Sequence, residues 1–305
     1  MIAGNDRDGK PVRTIQSNAA NSQPGECRRR VAAWASFWYF FWITNQDLTM
    51  QRFLQTILLL GAIGPLAGSH TDHANRLFAE SAGSDKKKGE TKPADDKTPL
   101  LCVGWKVHVN RELLAKDRVG TAQALEILEK QLEEIVRVVP RAAVVELKKV
   151  PLWISPEYEG VPPRAEYHPG AGWLKDHGRD PVMEKSVEFT NVRIFEAENR
   201  RMPLFVLHEL AHAYHDRVLG NDHKGIQAAY AKAKAGGKYD LVDRRHADGR
   251  TTKESAYALS NPQEYFAEST EAFFGTNDFF PFTRDELKTQ DPEMFDLLVQ
   301  LWGVR

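Results

Sequence analysis

The stretch His208-Glu209-Leu210-Ala211-His212 decides how the rest of this 305-residue chain is interpreted. Residues four apart in a helix lie one above the other on the same face, so both histidines can reach one metal ion. Glu209 directly follows the first histidine and would lie beside that ion, where a carboxylate can take a proton from a water molecule. The spacing therefore predicts a metal centre with a carboxylate base on one helix.

The residues around this motif predict a buried helix. Pro203 suits the first turn of a helix, where its missing N–H is not needed, and Gly220 is a natural C-terminal stop. Residues 204–219 contain no glycine or proline, and the first half is apolar on nearly every side. A buried helix must satisfy its polar side chains, and a metal ion does so here. The alternative is a core helix whose histidines are hydrogen-bonded to neighbouring groups.

The motif has the HExxH pattern of zinc peptidases, but the third zinc ligand is not on this helix. Three ligands along one helix, with His215 as the last, would span about 10 Å at a rise of 1.5 Å per residue, too far for one tetrahedral ion. His215 is therefore expected behind the ligands or at the rim. The longer HExxHxxGxxH form is not present, since His215 occupies its glycine position and Val218 its third histidine.

The segment NPQEYFAE, which begins at Asn261, supplies the expected third ligand. Asn261 is a good N-cap and Pro262 a good first helical residue, and the helix is expected to run to Gly275. Glu264 and Glu268 lie four apart, and carboxylates on an apolar helix are costly unless paired or metal-bound. We expect Glu264 to complete a His, His, Glu set with an open position for water, and Glu268 to hold a ligating histidine by its other ring nitrogen. A solvated acidic face is the alternative.

The HELAH helix, Tyr257 and the segment from Glu264 to Glu268 together resemble the catalytic domain of anthrax-toxin lethal-factor-type zinc metallopeptidases. The resemblance implies that Glu264 binds zinc and that Tyr257, seven residues before it, points at the substrate carbonyl. An ordinary core tyrosine is the alternative for Tyr257. The resemblance covers only about residues 204–275, and residues 261–282 are also similar to uncharacterised exported bacterial proteins. The kinase-cleaving role of the toxin is not implied.

The remaining pattern predicts an α+β domain, with a small mixed sheet packed on the HExxH helix and a mostly helical C-terminal half, the order typical of a zincin. Strands are expected at residues 100–109, 142–147, 152–154, 166–168 and 186–195, helices at residues 121–139, 223–235 and from 291 onward, and a charged loop at residues 239–252. His168 and Trp173 could border a cleft along one strand edge, where extended peptides bind.

The N-terminal third has the features of an exported protein. Met50-Gln51-Arg52 precedes an apolar run at residues 53–66 that ends in small residues, which is the pattern of a signal peptide. The expected division is a non-native or disordered extension at 1–49, a signal peptide at 50–69, a disordered charged linker at 70–97 and the zincin-like domain at 98–305. A second apolar run at residues 31–43 leaves a double membrane anchor as the alternative, although neither run has a comfortable spanning length.

The amino-acid composition of the chain limits the classes of partner and substrate that we expect. The chain is 42% hydrophobic and 27% charged with a formal net charge of −1, which suits one sizeable globular domain and offers no basic field for nucleic acid. If the mature chain begins near residue 70, Cys102 is without Cys27 and forms no internal disulfide. We expect a peptide or protein substrate, no stable membrane span in the mature form, and a secreted, periplasmic or cell-envelope location.

These residues predict zinc-dependent peptide hydrolysis. One Zn²⁺ held by His208, His212 and Glu264 would lower the pKa of its water toward about 7. Glu209 would accept the proton and deliver it to the leaving amine, and Tyr257 would donate to the oxyanion. The alternatives are an exported binding protein on a zincin scaffold and a hydrolase of a non-peptide cell-wall amide. The intact Glu209 favours catalysis, because a structural zinc site needs no base.

Overall fold

The computed structural model describes residues 97–304. The segments interpreted as an N-terminal extension and a signal peptide lie outside the described residues, as do Cys27 and nearly all of the linker. Within the described part, the chain combines α-helices with a small mixed sheet. The α+β class expected from the sequence is therefore correct for this part of the chain.

A five-stranded mixed sheet forms the first layer. Its strands are β1 (Lys97–Cys102), β2 (Trp105–Asn110), β3 (Leu152–Ile154), β4 (Ala165–His168) and β5 (Ser186–Phe189). The order across the sheet is β1-β2-β3-β5-β4. Strands β2, β3 and β5 are parallel, while β1 and β4 are antiparallel to their neighbours at the two edges. Strand β4 therefore leaves one row of its peptide groups outside the sheet's own ladder.

Helices make up most of the remaining structure. They are α1 (Arg111–Lys116), α2 (Arg118–Val138), α3 (Arg141–Leu147), α4 (Ala171–Asp176), α5 (Phe195–Arg201), α6 (Phe205–Tyr214), α7 (Lys224–Gly236), α8 (Pro262–Phe274), α9 (Arg284–Gln290) and α10 (Pro292–Trp302). A hairpin of β6 (Val242–Arg245) and β7 (Thr251–Glu254) lies between α7 and α8. Helix α6 packs against α8 on one side and against β4 and β5 on the other.

Burial of apolar side chains holds helices α6 and α8 in place. Leu207, Leu210 and Ala211 of α6 and Phe266 of α8 are fully buried, and burying such side chains stabilises the fold by roughly 1.5–3 kcal/mol for each large one. Gly275 ends α8 against Leu204, and a Cβ at that position would overlap the Leu204 side chain. A side chain at position 275 would therefore require the Leu204 side chain to shift.

Local patterns predicted several elements well. Strand β3 covers the predicted residues, β4 begins one residue earlier than expected, and α7 and α10 match within about one residue. Asn261 caps α8 by accepting a hydrogen bond from the Glu264 amide at 2.8 Å. Helix α2 begins before the predicted Thr121, because the Asp117 carboxylate caps it through the Gly120 amide at 3.0 Å.

Other local predictions are wrong. Residues 142–147 form helix α3 rather than a strand, with Ala143, Val144 and Leu147 buried on one helical face. A short apolar run fits both structures, so its pattern cannot separate them. The strand expected at residues 100–109 is a hairpin that turns at Val103 and Gly104.

Two more boundaries differ from the sequence prediction. The strand expected at residues 186–195 ends at Phe189, and helix α5 begins at Phe195. The expected charged loop at residues 239–252 contains most of the β6–β7 hairpin. Within residues 97–304, none of the helices combines the length and the apolar character that crossing a bilayer requires.

Candidate metal centre

Helix α6 presents both motif histidines, with His208 buried and His212 partly exposed. Its first turn lacks a side-chain cap of its own, and the Val206 amide instead donates to Gln131 Oε1 of α2 at 3.0 Å. After Tyr214 the helix widens into one π-helical turn, His215–Leu219, which ends at Gly220. Single π turns of this kind occur frequently at functional sites.

Three electron-pair donors converge between α6 and α8. His208 Nε2 lies 3.1 Å from His212 Nε2 and 3.1 Å from Glu264 Oε2, and His212 Nε2 lies 3.3 Å from Glu264 Oε2. Zinc bonds of about 2.0–2.1 Å at tetrahedral angles require ligand atoms about 3.3–3.4 Å apart. The three side chains are therefore spaced as a set that can hold one small cation.

The contact on the other side of the His208 ring affects what can lie between the three donor atoms. His208 Nδ1 lies 2.7 Å from Glu271 Oε1 in a fully buried contact. A neutral imidazole that donates from Nδ1 carries a lone pair at Nε2, where it would face the Glu264 carboxylate without a hydrogen between them. In that tautomer, a metal ion or an additional proton would have to lie between Nε2 and the carboxylate.

The pKa shifts of His208 and Glu264 describe how this cluster is charged when no metal is bound. Burial lowers the pKa of His208, but hydrogen bonds to the Glu264 and Glu271 carboxylates outweigh burial and hold that pKa well above its usual value. Burial likewise raises the pKa of Glu264, and its hydrogen bonds from His208 and His212 bring it well below the usual range. In the metal-free protein, a proton on His208 would occupy the position that a metal cation could take.

Glu271, rather than Glu268, makes the close contact to His208. Glu268 Oε1 lies 3.9 Å from His208 Nδ1, beyond hydrogen-bond distance, and Glu268 Oε2 accepts from Asn277 Nδ2 at 3.0 Å. The sequence prediction that Glu268 holds a histidine is corrected accordingly. Glu271 lies seven residues after Glu264, which places both carboxylates on the same helix face two turns apart. That spacing was the signal that could have identified it.

Glu209 lies beside the three donors and is held by the sheet. Its Oε2 accepts a hydrogen bond from the backbone amide of Tyr167 in β4 at 2.9 Å. Burial raises the pKa of the Glu209 carboxyl above its ordinary value. A carboxylate fixed next to a cation site, with a raised pKa, has the properties of a general base.

A cavity of about 740 Å³ opens over this cluster and is lined by His208, Glu209, His212, Tyr257 and Glu264. Tyr257 is 49% exposed and begins a short 3₁₀ turn just before α8. Burial and the nearby Glu264 charge raise the pKa of its phenol, so Tyr257 stays a hydrogen-bond donor. The structure thus places all five predicted residues around one space large enough for several residues of a peptide.

His215 is not at the rim of this cavity. Its side chain is fully buried, packs against Phe266 with ring centroids 5.2 Å apart, and has no hydrogen-bond partner at either ring nitrogen among the described residues. Burial lowers its pKa to about 4. His215 is therefore a neutral side chain of the core and not a ligand.

His168 does not border the cavity either. Alternate residues of a strand point to opposite faces, and Tyr167 faces α6 while His168 faces away from it. We call His168, Glu188, Arg179 and Tyr158 the sheet-back cluster. Glu188 accepts from His168 Nε2 at 3.0 Å, from Arg179 Nη1 at 3.2 Å and from the Tyr158 hydroxyl at 2.8 Å. Trp173 covers this cluster by stacking on Arg179 at 5.0 Å, and the expectation that these residues line the cleft is not met.

Comparison of the chain with protein-family models, with curated proteins and with solved structures finds no match.

Proposed function

We propose that this protein is a zinc-dependent peptide-bond hydrolase with a zincin-like arrangement of sheet and helices. One observation carries the proposal: three lone-pair donors, His208 Nε2, His212 Nε2 and Glu264 Oε2, lie 3.1–3.3 Å apart at the floor of an open cavity. Two histidines and one carboxylate leave a fourth position free, as in catalytic rather than structural zinc sites. The resemblance of the two motifs to lethal-factor-type peptidases supports the same assignment.

The proposed reaction uses the metal ion and a small number of side chains, each with its own role. Zinc bound by these ligands would polarise a substrate carbonyl and make water acidic enough to attack it near neutral pH. Glu209 accepts the proton of the attacking water and passes it to the amine that leaves. Tyr257, on the cavity wall beside Glu264, donates a hydrogen bond to the oxygen that becomes negative. Glu271 holds His208 in the orientation and tautomer that ligation requires.

The edge strand supports a peptide as the substrate. The Thr190 amide donates to the Arg164 carbonyl at 2.9 Å, so residue 164 faces β5. Peptide groups alternate in direction along a strand, and those of Ala165 and Tyr167 therefore face the cavity. Because Glu209 uses the Tyr167 amide, the Ala165 amide and carbonyl and the Tyr167 carbonyl are left for an extended chain, which binds sheet edges by such hydrogen bonds.

The test combines metal analysis with cleavage of a peptide library. The purified protein should contain about one zinc per chain and cleave some members of the library. Glu209→Gln keeps the three ligands and should retain zinc, while its rate should fall roughly a hundredfold or more, the usual scale of general-base catalysis. Glu146→Gln, on the exposed surface of α3, is the matched control and should behave as wild type.

Different results would separate the alternatives. Zinc binding without cleavage of any peptide or amide would favour a binding protein on this scaffold. Cleavage that is unchanged in Glu209→Gln would rule out the proposed base. A protein that binds no zinc after metal reconstitution would overturn the proposal as a whole.

A further inference from the structure

Tyr167 ties strand β4 to the metal-bearing helix at two points. Its backbone amide donates to Glu209 Oε2 at 2.9 Å, and its hydroxyl donates to Asp216 Oδ2 at 2.6 Å. Glu209 and Asp216 are seven residues apart, which places them on one face of the helix about 10 Å from each other. The Tyr167 side chain thus runs along the helix beside the cavity, and both Tyr167 and Asp216 line its wall.

Asp216 is held from two further directions. Lys185 Nζ donates to its Oδ2 at 2.6 Å, and Asn221 Nδ2 donates to its Oδ1 at 2.9 Å. Asp216 belongs to the π-helical turn, and Lys185 lies between β4 and β5. The aspartate therefore joins the end of the motif helix to both strands at the sheet edge.

The backbone at Lys185 supports a specific role for this contact. Lys185 has φ of 56°, the left-handed region that a lysine seldom adopts. Its amide donates to the His168 carbonyl at 2.7 Å, at the end of β4. Strained residues of this kind persist where surrounding contacts determine them and cluster at functional sites. Here the strained residue extends its side chain to Asp216.

We infer that Tyr167 and Asp216 are positioning residues that set the separation between the general base and the free edge of β4. Through the hydroxyl contact, Asp216 fixes Tyr167 along the helix, and the Tyr167 amide then fixes the Glu209 carboxylate relative to a peptide on Ala165. The inference rests on the proposed function and adds two residues to it that neither sequence motif contains. Neither residue touches the reacting atoms, so both act through Glu209.

The decisive variant is Tyr167→Phe, which keeps the amide and removes only the hydroxyl contact. We expect full zinc content, KM within about twofold of wild type and kcat reduced roughly tenfold, the scale of one hydrogen bond to a charged group. Asp216→Asn should lower kcat in the same way. Tyr239→Phe is the matched control, because it removes a tyrosine–aspartate contact, to Asp291 at 3.2 Å, away from the cavity, and kcat should not change.

A double variant distinguishes positioning from general loss of structure. If Tyr167 acts through Glu209, adding Tyr167→Phe to Glu209→Gln should reduce the remaining rate less than twofold, because groups that act as a unit are not additive. An equal tenfold loss in both backgrounds would overturn the inference. A rise in KM with unchanged kcat would overturn it too, since that result assigns Tyr167 to substrate binding alone.

Amide hydrogen exchange gives a measurement that does not depend on activity. Asp216→Asn should make the Tyr167 amide exchange at least tenfold faster than in wild type or Tyr239→Phe. Unchanged exchange would overturn the inference even if the protein is an active peptidase. If the wild type cleaves nothing but the exchange is faster in Asp216→Asn, the contact exists, and it is the proposed hydrolysis and the positioning role that are withdrawn.

Discussion

The metal centre and the sheet-back cluster lie on opposite faces of β4, and both bury a histidine against glutamate. In the sheet-back cluster, each oxygen of Glu188 receives a hydrogen bond from a donor: Tyr158 on one, and His168 with Arg179 on the other. In the candidate metal centre, by contrast, His208 Nε2, His212 Nε2 and Glu264 Oε2 converge on one another, and neutral imidazoles that present lone pairs there would leave no hydrogen between the three atoms. The number of hydrogens available between the buried groups, rather than the residue types, distinguishes a set that could hold a cation from a closed ion-pair network.

The largest expected effect comes from removing a proposed ligand in the candidate metal centre. His212→Ala leaves two of three protein ligands, so zinc should be lost and peptide cleavage should fall by roughly a thousandfold or more. His168→Ala removes a histidine that is equally central to its own cluster and should keep zinc. The metal content per chain, measured for both variants, tests both expectations. Loss of zinc from His168→Ala, or its retention at full affinity in His212→Ala, would contradict the distinction between the two clusters.

The next effect concerns the stability of the sheet-back cluster. Glu188→Ala removes the carboxylate that buried Arg179 and His168 share, but Arg179 keeps its contact to Glu166 at 2.6 Å, so the expected cost is about 1–3 kcal/mol, the scale of leaving a buried donor without its acceptor. Because this cluster faces away from α6, zinc affinity should change little. Denaturant unfolding gives the free energy, and zinc titration of the folded variant gives the affinity. A variant as stable as wild type would show that the cluster is not an essential ion-pair network.

Two tyrosine hydroxyls extend the comparison. Tyr257→Phe should keep zinc and stability and lower kcat by about tenfold to a hundredfold, because its hydrogen bond is needed only as the oxyanion forms. Tyr158→Phe should lower the free energy of unfolding by about 1–3 kcal/mol, since its hydroxyl donates to a buried carboxylate, and leave kcat unchanged. Steady-state kinetics and chemical denaturation of both variants test whether Tyr257→Phe changes kcat alone and Tyr158→Phe changes stability alone. Equal kcat values for Tyr257→Phe and wild type would return Tyr257 to an ordinary structural role.

The last comparison concerns the pH dependence of stability, which should have opposite signs in the two regions. Burial raises the pKa of Glu188, but hydrogen bonds from His168, Ser155 and Tyr158 outweigh it and hold the pKa below 4.5. Its stabilising contribution is therefore present above pH 4.5 and is lost as the pH falls further. Burial, together with the charge of Glu271, raises the pKa of Glu268 to about 8. Its contribution is greatest below pH 4.5 and is lost as the pH rises toward 8.

Unfolding of the metal-free protein across pH 3–9 checks these signs. Glu268→Gln should make the fall on the alkaline side of the stability profile shallower, while Glu209 and Glu271, whose pKa values burial also raises, keep part of that fall; Glu188→Gln should make the acid side shallower. A Glu268→Gln profile that still falls between pH 5 and 8 as in wild type would show that another group titrates there.

Residues linked by short-range rules could be assigned from the sequence. His208 and His212 share a face because a helix repeats every 3.6 residues, and Asn261-Pro262 starts α8 because of its capping chemistry. The same reasoning brought Glu264 to the expected place beside the histidines. The same reasoning assigned Glu268 instead of Glu271 as the hydrogen-bond partner of His208. Both glutamates lie on the inner side of α8, and only the packing of α6 against α8 selects between them.

The two motif helices and the side chains they present could be predicted locally, since periodicity, caps and side-chain types act within a few residues of one another. The contacts that cross between elements follow from packing alone. The Tyr167 amide reaches Glu209 across 42 positions of the chain, and His208 reaches Glu271 across 63. The same packing turned His168 away from the cavity and enclosed His215 in the core. Such contacts depend on the register of a strand and the rotation of a helix, which the burial of the whole core selects and no local pattern encodes.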